Sequence, residues 1–232
     1  MTALIGTFNE KPLHASLKQL YARAGDCMEV PIDGYVVDIL RGDLIIEIQT
    51  ANFSAIAKKM RDLASRHRVR LVYPVPHERW IVKLPAPANA QPVRQRSPKR
   101  GGMEDVFEEL VSFPDLITDE NFELEVILTR EEQLRRFDGK RGRSRHGWVV
   151  VERRLLGTTD RLLIRSPDDL LSFLHSDLPE PFHTLDLAAS LGRSRAFAQK
   201  VAYCLRKCRL ITPVGKDANA VLYARTGAES QP

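Results

Sequence analysis

Hydrophobic and polar positions form their clearest pattern around residue 40. Two β-rich runs, 36–40 and 43–49, are separated there by Arg41 and Gly42. Runs of this kind broken by a glycine-containing pair are typical of a β-hairpin. The pattern therefore predicts two antiparallel strands with their turn at Arg41 and Gly42.

The predicted hairpin brings two carboxylates to one face of the sheet. With that turn, Leu40 pairs with Asp43, and Asp38 faces Ile45. Glu47 shares the face of Ile45 because side chains alternate along a strand, and it lies diagonal to Asp38 at about 7 Å. Two carboxylates at this spacing can hold one divalent metal ion. The alternative is a polar strand face that meets only water, since charged residues are mostly exposed.

Helical periodicity flanks the hairpin on both sides. The segment 10–25 places Leu13, Leu17 and Leu20 on one side of a helix. A neighbouring stripe at a spacing of four carries Glu10, His14 and Lys18. The segment 53–67 is predicted to form a second amphipathic helix capped by Asn52, and 69–75 and 79–84 are predicted strands. The order helix, hairpin, helix, strand indicates a small mixed sheet with helices packed on it.

This order of elements and its acids resemble the PD-(D/E)xK nuclease superfamily, which includes type II restriction enzymes, Holliday-junction resolvases and many repair nucleases. The resemblance covers residues 10–80. Family members carry an Asp on one strand and (D/E)-x-K on the next, and here these positions are Asp38 and Glu47-Ile48-Gln49. Gln49 replaces the family lysine, and glutamine at this place occurs both in active members and in members that have lost catalysis.

The resemblance implies a metal site and a catalytic set. Asp38 and Glu47 are expected to bind Mg²⁺ or Mn²⁺, with the backbone carbonyl of Ile48 as a further ligand. Glu10 is in the place of the glutamate that often reaches the metal from the first helix, although a glutamate there also complements the helix dipole. Lys59 is expected to supply the missing lysine charge, unless it belongs to a solvated helix face. The predicted catalytic set is Glu10, Asp38, Glu47, Gln49 and Lys59.

The middle of the chain changes composition twice. Residues 85–102 are rich in Pro, Ala, Gln and basic residues, which predicts an extended, solvated linker. Residues 103–165 then predict an α+β connecting segment with strands at 122–128, 148–156 and 161–164. Thr129 followed by Glu132 is a capping-box pattern, so a helix is expected to begin at Thr129. The Gly-rich loop that follows suits contacts with phosphate, or is simply an exposed hairpin tip; its bases are Lys140, Arg141, Arg143 and Arg145.

The C-terminal part, 166–228, has the layout of a winged helix-turn-helix domain. Three predicted helices, the last capped by Ser194, precede two strands at 211–214 and 220–225. This resembles winged-helix DNA-binding domains, although such folds also serve as protein-interaction modules. The resemblance places these residues near the start of the helix that enters the major groove: Arg193, Arg195, Gln199, Lys200 and Tyr203.

Composition narrows the function classes. The net charge is +5, and its basic excess is clustered, which favours a nucleic acid partner over a merely basic surface. No apolar run reaches the length of a membrane span, and the first residues lack the pattern of a signal peptide. The three cysteines have no CxxC spacing, and Cys204 and Cys208 fit packing on a helix better than metal binding. A cytoplasmic protein without a membrane partner is expected.

These observations give one fold expectation and three functional ones. The fold expected is α/β (α+β): a restriction-endonuclease-like mixed sheet flanked by helices over 1–84, then the linker, the α+β segment and a winged helix. The leading function is a metal-dependent DNA endonuclease, or nuclease-like DNA-binding protein, that hydrolyses phosphodiester bonds. The alternatives are a catalytically inactive nuclease fold acting as a DNA-binding regulator, and an interaction module without nucleic acid. Restriction enzymes and resolvases commonly act as dimers, so the resemblance allows a homodimer, but no residue pattern indicates self-association.

Overall fold

A computed structural model of the protein describes residues 12–85, 91–139 and 147–226. The architecture is mixed α+β, with an open mixed sheet flanked by helices, which confirms the predicted fold at this level. The first elements are α1 (Pro12–Tyr21), β1 (Cys27–Ile32), β2 (Tyr35–Arg41), β3 (Leu44–Ile48), α2 (Ala57–Ala64) and β4 (Arg68–Leu84). They are followed by β5 (Val93–Arg96), α3 (Phe107–Leu110), β6 (Phe122–Phe137), β7 (Trp148–Ile164), α4 (Thr184–Ser190), α5 (Arg195–Lys207), β8 (Ile211–Asp217) and β9 (Ala220–Arg225). None of the described helices is long and apolar enough to cross a membrane.

The main sheet has the strand order β1-β2-β3-β4-β6-β7, with β5 paired to the far half of β4. Strands β1, β2 and β3 are antiparallel, whereas β3 pairs with β4 in parallel because α2 makes the crossover between them. Strand β4 also pairs in parallel with β6, so segments 1–84 and 103–165 contribute to the same sheet. Part of the predicted linker therefore lies in the sheet, as β5.

The hairpin of β2 and β3 is confirmed, but the predicted turn is wrong by one position. Arg41 pairs with Leu44, and the turn is formed by Gly42 and Asp43. Gly42 has φ +58°, a left-handed conformation that glycine adopts without steric cost. The shift by one residue on each strand brings Asp38 opposite Glu47 instead of diagonal to it.

Three other local predictions are wrong. The region from Thr129 to Phe137 is not a helix but the second half of β6. Thr129 is fully buried and donates its hydroxyl to Glu131 at 2.7 Å, with the carbonyl oxygen of Val75 at 3.2 Å, so sheet contacts override the local capping pattern. The predicted strands 69–75 and 79–84 form one continuous strand, β4. The predicted strands 148–156 and 161–164 likewise form one continuous strand, β7.

Two apolar layers enclose the sheet. Leu13 and Leu17 of α1 pack with Ile39, Ile46 and Ile48 on one face. The opposite face packs in one continuous cluster with α2, α3 and α5. The C-terminal segment begins with a 3₁₀ helix, Pro167–Phe173, and the two-stranded sheet of β8 and β9 follows α5.

Helix α5 joins the C-terminal segment to the core. Its apolar face contains Val201, Cys204 and Leu205, all fully buried. Cys208 is buried too, and its thiol donates to the carbonyl oxygen of Pro114 at 3.1 Å. The prediction that Cys204 and Cys208 serve packing is confirmed, while Cys27 on β1 is exposed.

Candidate functional site

Asp38 sits at the point where the backbone pairing of β2 and β3 ends. Its Oδ2 accepts a hydrogen bond from the backbone N–H of Ile48 at 2.8 Å and lies 3.1 Å from Nε2 of His14. Nζ of Lys18 is 4.0 Å from Oδ1. His14 and Lys18 both project from α1, so the helix predicted to frame the site delivers a titratable group and a cation to one carboxylate.

Glu47 receives its partner from the other side of the sheet. Its Oε1 is in direct contact with the ammonium group of Lys59 on α2, and its Oε2 lies 3.4 Å from the backbone nitrogen of Asp38. Lys59 also donates to the carbonyl oxygen of Val36 at 2.8 Å, which fixes its direction. The side chain of Glu47 is only 10% exposed, so this ion pair is shielded from solvent.

The pKa values of the two carboxylates are shifted in opposite directions. Burial alone would raise the pKa of Asp38, but the hydrogen bond and charge of His14, with the N–H of Ile48 and Lys18, lower it below its usual value. Burial and the nearby charge of Asp38 raise the pKa of Glu47, although Lys59 opposes this rise.

A divalent metal does not fit the described residues as they are arranged. Nε2 of His14 lies 2.9 Å from the carbonyl oxygen of Ile48 and 3.1 Å from Asp38, two of the three expected metal ligands. The third, Glu47, is bound to Lys59. Among residues 12–85, 91–139 and 147–226, no group of three or more histidine, cysteine or acidic side chains is arranged to hold a metal ion. A metal would have to displace these contacts or draw on further donors.

The other predicted catalytic residues have different outcomes. Gln49 does not point at the acids; its side-chain amide donates to the carbonyl oxygens of Ala51 and Asn52. Glu10 lies outside the described residues. Lys59 was predicted because its long stem flanks the buried face of α2, and it does reach Glu47. His14 was not in the predicted set, although its spacing of four from Lys18 was the signal that could have found it.

The predicted basic loop, Lys140, Arg141, Arg143 and Arg145, lies outside the described residues. Its two flanks are described. Phe137 and Trp148 contact each other edge to face at the ends of β6 and β7, with centroids 5.6 Å apart. The ammonium group of Lys83 lies 5.2 Å from the Trp148 ring centre, so an aromatic and basic pair borders the loop.

The predicted DNA-contacting residues, four on α5 and Arg193 just before it, form two groups. Arg195, Gln199 and Tyr203 lie at successive turns on the exposed face, and Arg206 extends the same stripe. They line a groove of about 310 Å³ between α5 and the β8–β9 hairpin, whose side is formed by Val221 and Tyr223. This exposed stripe was partly predicted; Arg206 was missed, although it follows at helical spacing.

Arg193 and Lys200 instead meet an acidic segment formed by Glu104, Asp105 and Glu108. Arg193 donates to Glu104 at 2.8 Å and contacts Asp105, and its guanidinium lies 4.3 Å from the ring centre of Phe197. Lys200 contacts Glu108. Two of the five residues predicted for DNA are therefore paired with protein carboxylates, Arg193 in a partly buried pair and Lys200 in an exposed one.

Three comparisons with known proteins place the chain among its relatives. An uncharacterized protein from Treponema pallidum (strain Nichols) is 30% identical over 224 residues, covering 95% of this chain and 87% of the relative. No solved structure matches the chain significantly. The profile of the family described as Domain of unknown function (DUF8091) matches residues 11–165, from the start of α1 to the end of β7. The chain therefore belongs to the DUF8091 family.

Proposed function

We propose that this protein binds DNA through α5 and the β8–β9 hairpin, and that its N-terminal part is a nuclease-like fold acting without a resident metal. The observation that carries the proposal is the exposed stripe of Arg195, Gln199, Tyr203 and Arg206 beside the hairpin. Arginine and glutamine recognise base edges, and arginine also binds phosphate, so a stripe of this composition suits a DNA groove.

The order of elements supports this interpretation of the C-terminal segment. A short helical segment is followed by α4, α5 and a two-stranded hairpin, and Phe182 bridges Tyr223 of β9 in antiparallel fashion. Ser194 caps α5 by accepting the N–H of Phe197 at 3.2 Å, which defines where the helix begins. This layout resembles a winged helix with a short third strand.

The N-terminal order α1, β1–β3, α2, β4 supports the nuclease-like part of the proposal. Its acids already have protein partners: Asp38 lies 3.1 Å from His14 and 4.0 Å from Lys18, and Glu47 contacts Lys59. A buried carboxylate that is paired in this way is stabilising only while its partner stays in place. We therefore assign the acid pair to holding α1 and α2 against the hairpin, and DNA binding to α5.

The test is the affinity for a fluorescent DNA duplex at several salt concentrations. The double variant Arg195→Gln/Arg206→Gln should weaken binding at least tenfold and lower the slope of log K against log salt by about 2, since each phosphate contact contributes roughly 0.9. Arg66→Gln/Arg68→Gln removes the same charge from exposed side chains elsewhere and serves as the control. Equal loss in both variants would reduce the interaction to nonspecific charge and overturn the proposal.

A second candidate is the metal-dependent nuclease, because Lys59 contacts Glu47 and so reaches the place of the family lysine. It predicts nicking of plasmid DNA in Mg²⁺ or Mn²⁺ that is abolished by EDTA, by Asp38→Asn and by Glu47→Gln. Asp43→Asn, at an exposed site on the same hairpin, is the matched control. DNA binding without metal-dependent cutting would favour the first candidate over this one.

A further inference from the structure

A second basic site lies on the α1 side of the sheet. A cavity of about 240 Å³ opens between the C-terminal end of α1 and strands β2, β4, β6 and β7. Its charged and polar lining is Tyr21, Arg23, Arg41, Arg70, Glu125 and Arg161. Four arginines thus face one carboxylate in a confined space, and the functions argued above make no use of them.

The floor of this arginine pocket is fixed by Glu125. Its side chain is 4% exposed, and it accepts a hydrogen bond from the Tyr21 hydroxyl at 2.7 Å. Burial and the charge of Glu125 raise the pKa of Tyr21, so the hydroxyl remains a donor at neutral pH. Arg70 and Arg161 approach Glu125 at 3.5 and 3.8 Å. With Asp26 and Glu123, which pair with Arg41 and Arg70, the four arginines face three carboxylates, so one positive charge is left in excess.

Two of the arginines are oriented in advance. Arg41 donates to both carboxylate oxygens of Asp26 and to the carbonyl oxygen of Tyr21, and Arg70 donates twice to Glu123. Fixed guanidinium groups lose little freedom when a ligand arrives.

The other two arginines keep their donors for a ligand. Within the described residues, the side chains of Arg23 and Arg161 form no hydrogen bond, and Arg161 is 65% exposed at the mouth of the pocket. Uncommitted guanidinium donors beside oriented ones are the arrangement that recognises a tetrahedral oxyanion, because the planar fork matches two oxygens at once.

We propose that this arginine pocket binds a phosphate group. The volume accommodates one phosphate and part of the molecule that carries it. The same chemistry is offered by inorganic phosphate and by a terminal phosphate of a nucleic acid, and the proposal does not rest on the DNA-binding function of α5.

The experiment measures the thermal midpoint of the full chain with increasing inorganic phosphate, against sodium chloride at equal ionic strength. Phosphate at about 100 times its Kd should raise the midpoint by about 5–10 °C. Arg161→Gln and Arg23→Gln should each weaken the affinity roughly tenfold, as expected for loss of a charge-assisted hydrogen bond. Arg165→Gln, at an equally exposed arginine outside the pocket, should behave as wild type.

Two further arms complete the test. A 5′-phosphorylated oligonucleotide and the same oligonucleotide with a 5′-hydroxyl are tested as competitors of inorganic phosphate. Competition by the phosphorylated form alone identifies the end of a nucleic acid as the ligand. If neither oligonucleotide competes, the ligand is the free anion. The Arg195→Gln/Arg206→Gln variant should keep its phosphate response, which separates this site from α5. A phosphate effect no larger than that of chloride, or one unchanged in both pocket variants, would overturn the proposal.

Discussion

His14 is the residue on which the character of the acid pair depends. Its Nε2 bridges the carboxylate of Asp38 and the carbonyl oxygen of Ile48 at hydrogen-bond distance. A group in that position occupies the space between two oxygen donors that would otherwise suit a hard cation. Replacing it is therefore the most direct way to ask what the two acids can bind.

His14→Ala should open the space between the oxygens of Asp38 and Ile48 to a divalent metal ion. Wild type is expected to show no saturable Mn²⁺ binding at millimolar concentrations, whereas the variant should bind Mn²⁺ and regain in its presence much of the stability it lost, about 1–3 kcal/mol. Calorimetric titration and chemical unfolding with and without Mn²⁺ measure both effects.

The control for that experiment is His67→Ala, which breaks a surface contact between His67 and Asp33. It should gain no Mn²⁺ affinity. Tight binding of Mn²⁺ by wild type, lost in Asp38→Asn, would contradict the structural role given to His14 and favour the metal-dependent nuclease.

Glu47 should make the free energy of unfolding depend on pH. Because its folded pKa is raised above the ordinary value of 4.5, the folded chain holds this proton more tightly than the unfolded chain. Its contribution is largest below pH 4.5 and falls as pH rises through the folded pKa, by about 1.4 kcal/mol for each tenfold difference in proton affinity. Urea unfolding of wild type and Glu47→Gln at several pH values should show the wild-type advantage shrinking as pH rises from 4.

The same series with Glu152→Gln is the comparison for a carboxylate at the surface. Arg154 lowers the pKa of Glu152 instead of raising it, so no such decline is expected for that variant. A wild-type advantage over Glu47→Gln that grows with pH would show that Lys59 dominates over burial.

For individual residues, the sequence predicted which side chains lie near one another better than it predicted their contacts. Asp38, Glu47 and Lys59 do come together, because alternation along strands and helical spacing fix which side chains share a face. Gln49 and His14 could not be placed, since a residue just after a strand end and a side chain crossing between elements depend on tertiary distances. The residues next to Gln49 and His14 in the sequence do not indicate these tertiary distances.

Helix α5 is the element with two competing sets of partners. Arg193, just before the helix, and Lys200 on it pair with the acidic segment, while the stripe of Arg195, Gln199, Tyr203 and Arg206 is exposed. Three carboxylates next to a basic helix repel the phosphates that the outer stripe would attract.

Neutralising the acidic segment should therefore strengthen binding to DNA. The triple variant Glu104→Gln/Asp105→Asn/Glu108→Gln is expected to raise the affinity at low salt several-fold and to steepen its salt dependence, because Arg193 and Lys200 become available to phosphates. Fluorescence anisotropy at 50 and 200 mM salt measures both.

A variant with the same charge change, Asp43→Asn/Glu120→Gln/Asp177→Asn, uses exposed acids away from α5. An equal gain in this control would mean that net charge alone sets the affinity. Loss of binding in the acidic-segment variant would mean that α5 needs those ion pairs to hold its position.

Helices and strands were predicted correctly where one apolar periodicity dominated the segment. The prediction failed where tertiary packing overrode the local pattern. Helix α5 and the β2–β3 hairpin follow their apolar periods, and α1 buries the predicted Leu13 and Leu17 but leaves the predicted Leu20 half exposed. The second half of β6 carries charged residues in succession, which resembles a helix surface. Glu131 is nevertheless fully buried there, because Arg153 of β7 donates to both of its oxygens.

The whole molecule is built around a core that crosses the boundary at residue 166. Phe107 of α3 and Val201 of α5 belong to one buried cluster, although the family match ends at residue 165. Sequence patterns indicated separate segments, because they carry no information on which apolar faces meet.

Truncation after residue 165 should therefore expose apolar surface instead of releasing an intact domain. We expect the fragment 1–165 to unfold at a midpoint at least about 10 °C below that of the full chain and to bind a hydrophobic dye, since several large side chains lose their cover. A fragment with an unchanged midpoint and no dye binding would show that the two parts fold independently.

The distribution of its thiols makes the protein convenient to label. Burial raises the pKa of Cys204, and that of Cys208 to about 11, so both stay protonated and shielded at neutral pH, while Cys27 is exposed on β1. Cys27 pairs with Leu40, two positions along β2 from Asp38. A maleimide fluorophore would thus attach selectively near the acid pair without any engineered cysteine, and its emission could report ligand arrival on that side of the sheet.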